Sequence, residues 1–358
     1  MKEAIRVVVA FNDQSAAVAQ EAKPLSVAPD GRLLSEKSVS RAVDLSEIGV
    51  LEEMHALTDA LTAEGYETIS LPATDDVEKI IRDLHRSRPA VVFNLVESLR
   101  SESLGEMYIA GLYELLGIVY TGSPPLALGI ALNKWRAKEV LSYHRILTPR
   151  FMRVPAGEAL VRAPKLSFPL IVKPSREDAS AGIDEHAVVR NFKELSARVR
   201  FVHENFLEPA IVEEYIEGRE FNVAIVGDRE LTVLPISEID FSEMPDYLPH
   251  IVTYESKWVP ASEAFVKAKP VCPAPIPATV ERKAKKIALD AYRAVGCRDY
   301  ARVDMRMDAE GRLYVIEVNP NPDISRDAGF IRSARAHGWT FEETLKRIVE
   351  LALARARR

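Results

Sequence analysis

The hydrophobic pattern alternates between short apolar runs and amphipathic stretches. Residues 5–11 form a run that is apolar apart from Arg6, a pattern of buried strand. From Ser46 to Ala63, Leu51, Met54, Leu57, Thr58 and Leu61 recur at helical spacing, and Gly65 follows as a stop. Residues 66–71 predict a second strand and 77–85 a helix. Residues 90–95 read as a continuously apolar strand suited to a parallel sheet covered on both faces, and 106–116 as a helix closed by Gly117. Strand–helix alternation over residues 1–120 predicts a small doubly wound α/β domain. Residues 12–46 are polar, with turn signals at Pro24 and Pro29-Asp30-Gly31. They are long for a loop and stay unassigned.

Tyr120-Thr121-Gly122-Ser123 is a turn and a domain boundary, giving a first domain of residues 1–123. A helix of about 20 residues carrying Lys134 and Lys138 is expected next. A strand at 168–174 ends at Lys173, and residues 175–183 form a small, polar, glycine-containing loop. A helix over 191–205, a strand over 210–215 and a hairpin over 220–236 around Gly227-Asp228 follow. The proline-rich stretch 241–277 shows little periodicity and predicts irregular chain over a site. A helix over 280–295 and a closing helix over 340–358 complete the pattern. The central unit is placed at 124–214 and the C-terminal one at 215–358.

Before the closing helix, Ala301-Arg302-Val303-Asp304-Met305-Arg306 and Val315-Ile316-Glu317-Val318-Asn319 alternate on either side of Ala309-Glu310-Gly311, predicting a β-hairpin. Arg302, Asp304 and Arg306 share one face of the first strand, and Val315, Glu317 and Asn319 share one face of the second. Two carboxylates and an amide on one surface suit Mg²⁺, which is held by one or two carboxylates plus substrate phosphates. Charged residues on the wet face of a surface hairpin produce the same pattern, so both readings stand.

The chain has 358 residues and a net charge of −6, with 47% hydrophobic and 28% charged residues. That supports two or three domains with a substantial core and gives no footprint for nucleic acid or anionic membrane. No apolar run approaches a membrane span. Cys272 and Cys297 form no C-x-x-C pair, and a reduced, cytoplasmic protein fits. The seven histidines lack ligand spacing, and the Walker A, G-x-S-x-G and H-E-x-x-H patterns are absent.

Three clusters could hold a nucleotide. Lys173 at a strand end beside loop 175–183 could take phosphates, or be a strand-edge lysine next to a surface loop. Residues 211–220 could offer backbone to an adenine edge and Glu220 to ribose hydroxyls, or be a solvated acidic strand end. Lys257 could close over phosphates, or be an ordinary surface lysine.

In order and in combination, several stretches resemble the ATP-grasp superfamily in its D-alanine–D-alanine ligase-like branch. They are Val92-Phe93-Asn94-Leu95, residues 117–123, Asn133-Lys134 with Lys138, residues 147–151, 168–177, 212–220, 254–257 and 296–322. The resemblance runs from about residue 90 onward. It implies three α/β or α+β subdomains, with ATP held between the central and C-terminal ones. Lys134 and Lys173 look like phosphate ligands, with Ser180 in the loop. Glu213, with the backbone of Glu214, Tyr215 and Ile216, looks like the adenine hinge, and Glu220 like the ribose ligand. Lys257 resembles a γ-phosphate contact. Asp304, Glu317 and Asn319 resemble the ligands of two Mg²⁺ ions, with Mn²⁺ as a substitute. Arg302 resembles the residue that stabilises an acyl-phosphate and the tetrahedral intermediate.

The implied activity is an ATP- and Mg²⁺-dependent carboxylate–amine ligase with small-molecule substrates, and a homodimer is the family expectation. The substrate side departs from the family. The family's G-G-x-S-x-E has no counterpart at 11–16, and Glu97-Ser98-Leu99-Arg100 stands where H-G-x-x-G-E-D-G is expected. Ala179 replaces a serine, Trp258 a tyrosine and Asp323 a glycine. This points to substrates other than two D-alanines. Arg100, Arg176 and Arg326 are candidates for a substrate carboxylate. A true D-alanine–D-alanine ligase with a rebuilt acceptor site, and an ATP-binding regulatory protein without turnover, are the alternatives.

Overall fold

A computed structural model describes residues 4–12, 36–100 and 102–357, with side chains from Val50 onward in the first helix. Strand β1 (Arg6–Asn12), helix α1 (Glu36–Ala63), β2 (Glu67–Ala73), α2 (Val77–Ser87), β3 (Val91–Leu95) and α3 (Gly105–Leu115) follow in order. The three strands form a parallel sheet in the order β2-β1-β3. Alternate residues of β1 feed two cores, as a sheet covered on both faces requires. Val7 and Val9 pack with Met54, Leu57 and Leu61 of α1, while Val8 and Ala10 pack with Ile80 and Leu84 of α2 and Ile109 of α3. Helix α1 begins ten residues before the expected Ser46, and residues 13–35 of the unassigned polar stretch lie outside the described residues.

The expected 20-residue helix is two helices, α4 (Pro125–Leu132) and α5 (Lys134–Tyr143), broken at Asn133. Asn133 takes φ −81° and ψ 87°, outside the helical region. Its Nδ2 donates to the Gly129 carbonyl at 2.8 Å, and the Lys134 amide donates to the Ser175 carbonyl at 3.1 Å. An amide that would have continued the helix is thereby tied to the loop after the lysine strand.

Strands β4 (Phe151–Val154), β5 (Leu170–Pro174), β6 (Val188–Val189) and β7 (Ala210–Glu214), with α6 (Phe192–Phe206), build a four-stranded antiparallel sheet ordered β4-β7-β5-β6. A six-stranded sheet follows: β8 (Arg219–Gly227), β9 (Leu231–Val233), β10 (Ser237–Asp240), β11 (Lys269–Val271), β12 (Asp299–Met307) and β13 (Leu313–Asn319). Its path is β11-β10-β8-β12-β13, with β9 on β8. The segment expected to be irregular holds two short helices, α7 (Tyr254–Trp258) and α8 (Glu263–Lys267), as well as β11. Thr253 and Ser262 side chains cap those helices and supply the local signal that proline content obscured.

Helix α9 (Ala278–Val295) covers one face of the six-stranded sheet together with α4 and α5. Helices α10 (Gly329–Ala336) and α11 (Phe341–Ala356) cover the other. Leu345 and Ile348 of α11 also pack against Val91 and Phe93 of the parallel sheet, so the last helix joins the first sheet to the last. No helix among the described residues is long and apolar enough to cross a membrane.

Candidate functional site

The β12–β13 hairpin pairs Arg302 with Asn319 and Asp304 with Glu317, which puts these four side chains on one face. The register then shifts, with Met305 opposite Val315 and Ile316 as the extra residue of a β-bulge. The bulge corrects one expectation. Val315 does not share the face of Glu317 but is fully buried with Leu313 and Val318. One inserted residue inverts a period of two.

Asp304 is surrounded by donors. Arg302 Nε and Nη2 each lie 2.8 Å from one of its carboxylate oxygens, Asn222 Nδ2 is at 2.7 Å and Asn319 Nδ2 at 3.0 Å. Asn222 is the cross-strand neighbour of Asp304 on β8. Burial would weaken the charge on Arg302, but the Asp304 carboxylate outweighs it and raises the guanidinium's pKa. Glu317 accepts Lys134 Nζ at 2.8 Å. Burial would raise its carboxyl, yet Lys134, with Lys173 and Arg302, holds it below the usual range.

Lys134 opens α5, where the break at Asn133 turns it toward the hairpin. Its ammonium also meets the Glu177 carbonyl at 2.6 Å and Asp178 Oδ1 at 3.2 Å. Burial opposes its charge, and the two carboxylates reverse that and raise its pKa. Lys173 and Lys138 share one buried carboxylate, Glu213, at 3.5 and 3.3 Å, and Lys138 also donates to Thr148 at 2.9 Å. Burial lowers Lys138 to about 8 against the pull of Glu213. Glu213 itself is held low by both lysines despite its burial. Its Oε1 is buried and has no partner.

The expected hinge follows at the end of β7. The Glu214 amide donates to the Arg150 carbonyl at 2.9 Å and the Tyr215 amide to the Pro169 carbonyl at 3.0 Å. Glu214 Oε1 accepts the Ser167 amide at 2.9 Å. Among the described residues the Ile216 amide is the one hinge N–H left without an acceptor. Beyond it, Gly218 has φ 137°, and a Cβ there would stand 2.1 Å from the Met307 carbonyl oxygen. Glu220 Oε2 accepts Arg306 Nη1 at 3.0 Å, and Arg306 also binds the His250 and Gly218 carbonyls. Burial raises Glu220, Arg306 lowers it and Asp304 raises it again, with a net rise.

The loop after β5 is drawn in by two residues in the left-handed region, Ala179 (φ 54°) and Ser180 (φ 63°). Each costs about 1–2 kcal/mol outside glycine. Trp258 Nε1 donates to the Ala179 carbonyl at 3.2 Å, so the strained loop is pinned by α7. Lys257, next to it, lies among Glu97, Glu53 and Asp178, whose carboxyls burial raises, and its charge opposes that rise in each. Burial pushes the Glu97 carboxyl up to about 7 against Lys257, with Asp323 and Asp178 adding to the push. Glu97 still reaches solvent, which limits that shift.

The structure thus gathers Lys134, Lys173, Glu213, Glu220, Arg302, Asp304, Glu317 and Asn319 between the two antiparallel sheets, with Ser180 and Lys257 at their rim. Arg176 also borders this region, its Nε 3.2 Å from Asn133 Oδ1. Two other arginines stay out. Arg326 pairs with Glu342 at 3.2 Å and stacks on Phe341, and Arg100 leans on Asp75. Asn222, Asp178 and Glu53 were missed by the sequence reading. Asn222 follows Glu220 at the strand period and Glu53 interrupts the apolar stripe of α1, so both left a signal. Glu53 Oε1 accepts the Ile324 amide at 3.1 Å, beside Asp323.

A mixed α/β fold with two antiparallel sheets facing a cation-lined space, and a carboxylate hairpin at its edge, defines an ATP-grasp ligase. Residues 140–350 match the family model described as "D-ala D-ala ligase C-terminus". A D-alanine–D-alanine ligase of Desulforudis audaxviator is 30% identical over 91% of this chain and 97% of its own. An uncharacterized protein of Sinorhizobium fredii is 32% identical over 73% of this chain and 74% of its own. The crystal structure of the Bacillus anthracis D-alanine–D-alanine ligase complexed with ATP superposes with a TM-score of 0.70 at 25% identity, covering 99% of both chains. The chain belongs to the D-alanine–D-alanine ligase family. It is an ATP-dependent carboxylate–amine ligase that forms a C–N bond.

Proposed function

We propose that this enzyme activates a small carboxylate as an acyl-phosphate and joins it to an amine, the substrate pair being other than two D-alanines. The nucleotide lies between a central unit (124–214) and a C-terminal unit (215–358), with the N-terminal unit (1–123) closing the substrate side. The observation that carries the reading is Lys134, whose ammonium binds the loop after β5 and the β13 carboxylate at once.

The orphaned Glu213 Oε1 and the Ile216 amide suit an adenine amino group and ring nitrogen, one accepting and one donating. Glu220 is the ribose acceptor. Lys134, Lys173, Ser180 and Lys257 hold phosphates. Among the described residues no three His, Cys, Asp or Glu side chains form a metal site by themselves. Asp304, Glu317 and Asn319 nevertheless fit Mg²⁺, since they are hard oxygen donors and the phosphates supply the rest. When bound, two such ions, or Mn²⁺ in their place, would screen the charge that accumulates as carboxylate meets triphosphate.

In the first step a carboxylate oxygen attacks the γ-phosphorus and ADP leaves. In the second the amine nitrogen attacks the acyl carbon, phosphate leaves and the amine gives up a proton. Arg302, oriented by Asp304, faces the developing oxyanion. Trp258 and the strained 179–180 pair exclude water from the acyl-phosphate. Glu97, Ala179, Trp258 and Asp323 replace the family's substrate residues together, which supports an altered substrate pair. The relatives' names favour a second reading, a D-alanine–D-alanine ligase with a rebuilt acceptor site. A coupled ADP-release screen over paired amino acids and carboxylates, with mass spectrometry of the product, tests both. D-alanine-dependent ADP release yielding the dipeptide selects the second reading. ATP binding without ADP formation across the panel makes the chain a nucleotide-binding regulator.

A further inference from the structure

A lysine ammonium has three N–H donors, and at Lys134 all three are taken. The acceptors are the Glu177 carbonyl at 2.6 Å, Glu317 Oε1 at 2.8 Å and Asp178 Oδ1 at 3.2 Å. The Lys134 side chain is only 10% exposed. For this lysine to hold a nucleotide phosphate, as the proposed function requires, one acceptor has to leave.

The three are unequal. The Glu177 carbonyl is main chain and makes the shortest bond. Glu317 stands on β13, paired across the hairpin with Asp304. Asp178 makes the longest bond, from a loop, with a side chain 53% exposed. Of the two carboxylates it is the more exposed, against 25% for Glu317, and its side chain can turn out to solvent without moving a strand or the backbone.

We propose that Asp178 is a built-in competitor for the nucleotide: it fills the phosphate position on Lys134 until the polyphosphate displaces it. The inference rests on Lys134 being a phosphate ligand. The displaced carboxylate is repelled by the phosphates and by Glu317, and Lys257 is the other cation that acts on it. Asp178 acts through Lys134 and is a positioning residue.

Removing the competitor has a consequence that loss of a merely structural contact would not have, namely tighter binding. The test is calorimetric titration of the full-length protein with ATP, ADP and adenosine in the presence of Mg²⁺, for wild type, D178N, D178A and D178E. D178N and D178A are expected to bind ATP and ADP about two- to fivefold more tightly, the range for releasing a half-exposed ion pair that opposes binding. Adenosine, which has no phosphate, is expected to bind all four alike, and D178E to stay near wild type. ATP binding that D178N and D178A leave unchanged or weaken overturns this inference alone. No ATP binding to the wild type overturns the nucleotide reading, and this inference with it.

Discussion

Arg302 and Asp304, two residues apart on one strand, form a two-pronged ion pair in which Nε and Nη2 each lie 2.8 Å from a carboxylate oxygen. The planar fork of the guanidinium matches the carboxylate, and a lysine cannot reproduce it. R302K is expected to lower ADP release on the order of 10²-fold with the fold intact, because one transition-state donor and the orientation of Asp304 are lost together. D304A and E317A are expected to cost at least about 10³-fold. Steady-state ADP release and circular dichroism check both. Near-normal turnover in either alanine variant would remove the metal assignment.

Glu208 lies beneath the loop after β5, 8% exposed, accepting the Arg176 amide at 3.3 Å. Burial pushes its carboxyl from an ordinary 4.5 up to about 7, against that amide and the Lys134 charge. Between pH 4.5 and 7 the folded protein keeps a proton that the unfolded chain has lost. Stability from this group therefore falls as pH rises through that window and is level above it. E208Q is expected to match the wild type near pH 4.5 and to be more stable at pH 8, on the order of 3 kcal/mol at most. Denaturant unfolding at the two pH values measures the gap. An equal gap at both would contradict the shift.

The strands, most helices and the hairpin were legible because each rests on local alternation or on a capping residue. The face shared by Asp304 and Glu317 could be read from period two. The inward turn of Val315 could not, since it depends on a bulge that the sequence does not mark. The break at Asn133 was equally hidden, because residues 125–143 carry a helical pattern throughout and the interruption is made by distant bonds to Ser175 and Arg176. Asp178 was passed over for a similar reason. Its partner Lys134 is 44 positions away, and an acid in a polar loop looks like ordinary surface.

Asp299 is fully buried and ties the last helix to the turn at residues 120–122. Its carboxylate accepts Arg355 of α11 and the Gly122 amide at 2.9 Å, while Arg355 Nη2 donates to the Tyr120 carbonyl at 2.6 Å. R355A leaves that carboxylate with a single amide, and breaking such a buried pair costs about 3–5 kcal/mol. Burial already raises the Asp299 pKa against the pull of Arg355. The R355A deficit is therefore expected to shrink in acid, where the orphaned carboxyl can be neutralised. Urea unfolding of both proteins at pH 5 and 8 gives the comparison, and a deficit that grows in acid would contradict this account.

Asn133 holds the turn that aims Lys134 at the hairpin. Its Nδ2 closes on the Gly129 carbonyl at 2.8 Å, and its Oδ1 accepts Arg176 Nε at 3.2 Å. Alanine removes both bonds and favours the helical backbone that the flanking residues already prefer. Helices α4 and α5 would then tend to merge, and continuing the helix turns Lys134 away from Glu317 by a large part of a turn. Two lost side-chain bonds at a partly exposed site cost about 1–2 kcal/mol, so N133A is expected to fold. Its affinity for ATP is expected to fall about tenfold or more, because an ammonium held against phosphate is lost. N133D, which keeps the acceptor for Arg176, is expected to lie between N133A and the wild type. Calorimetric ATP titration with thermal unfolding separates the two effects. N133A binding ATP as the wild type does would show that the Ser175 carbonyl alone sets the break.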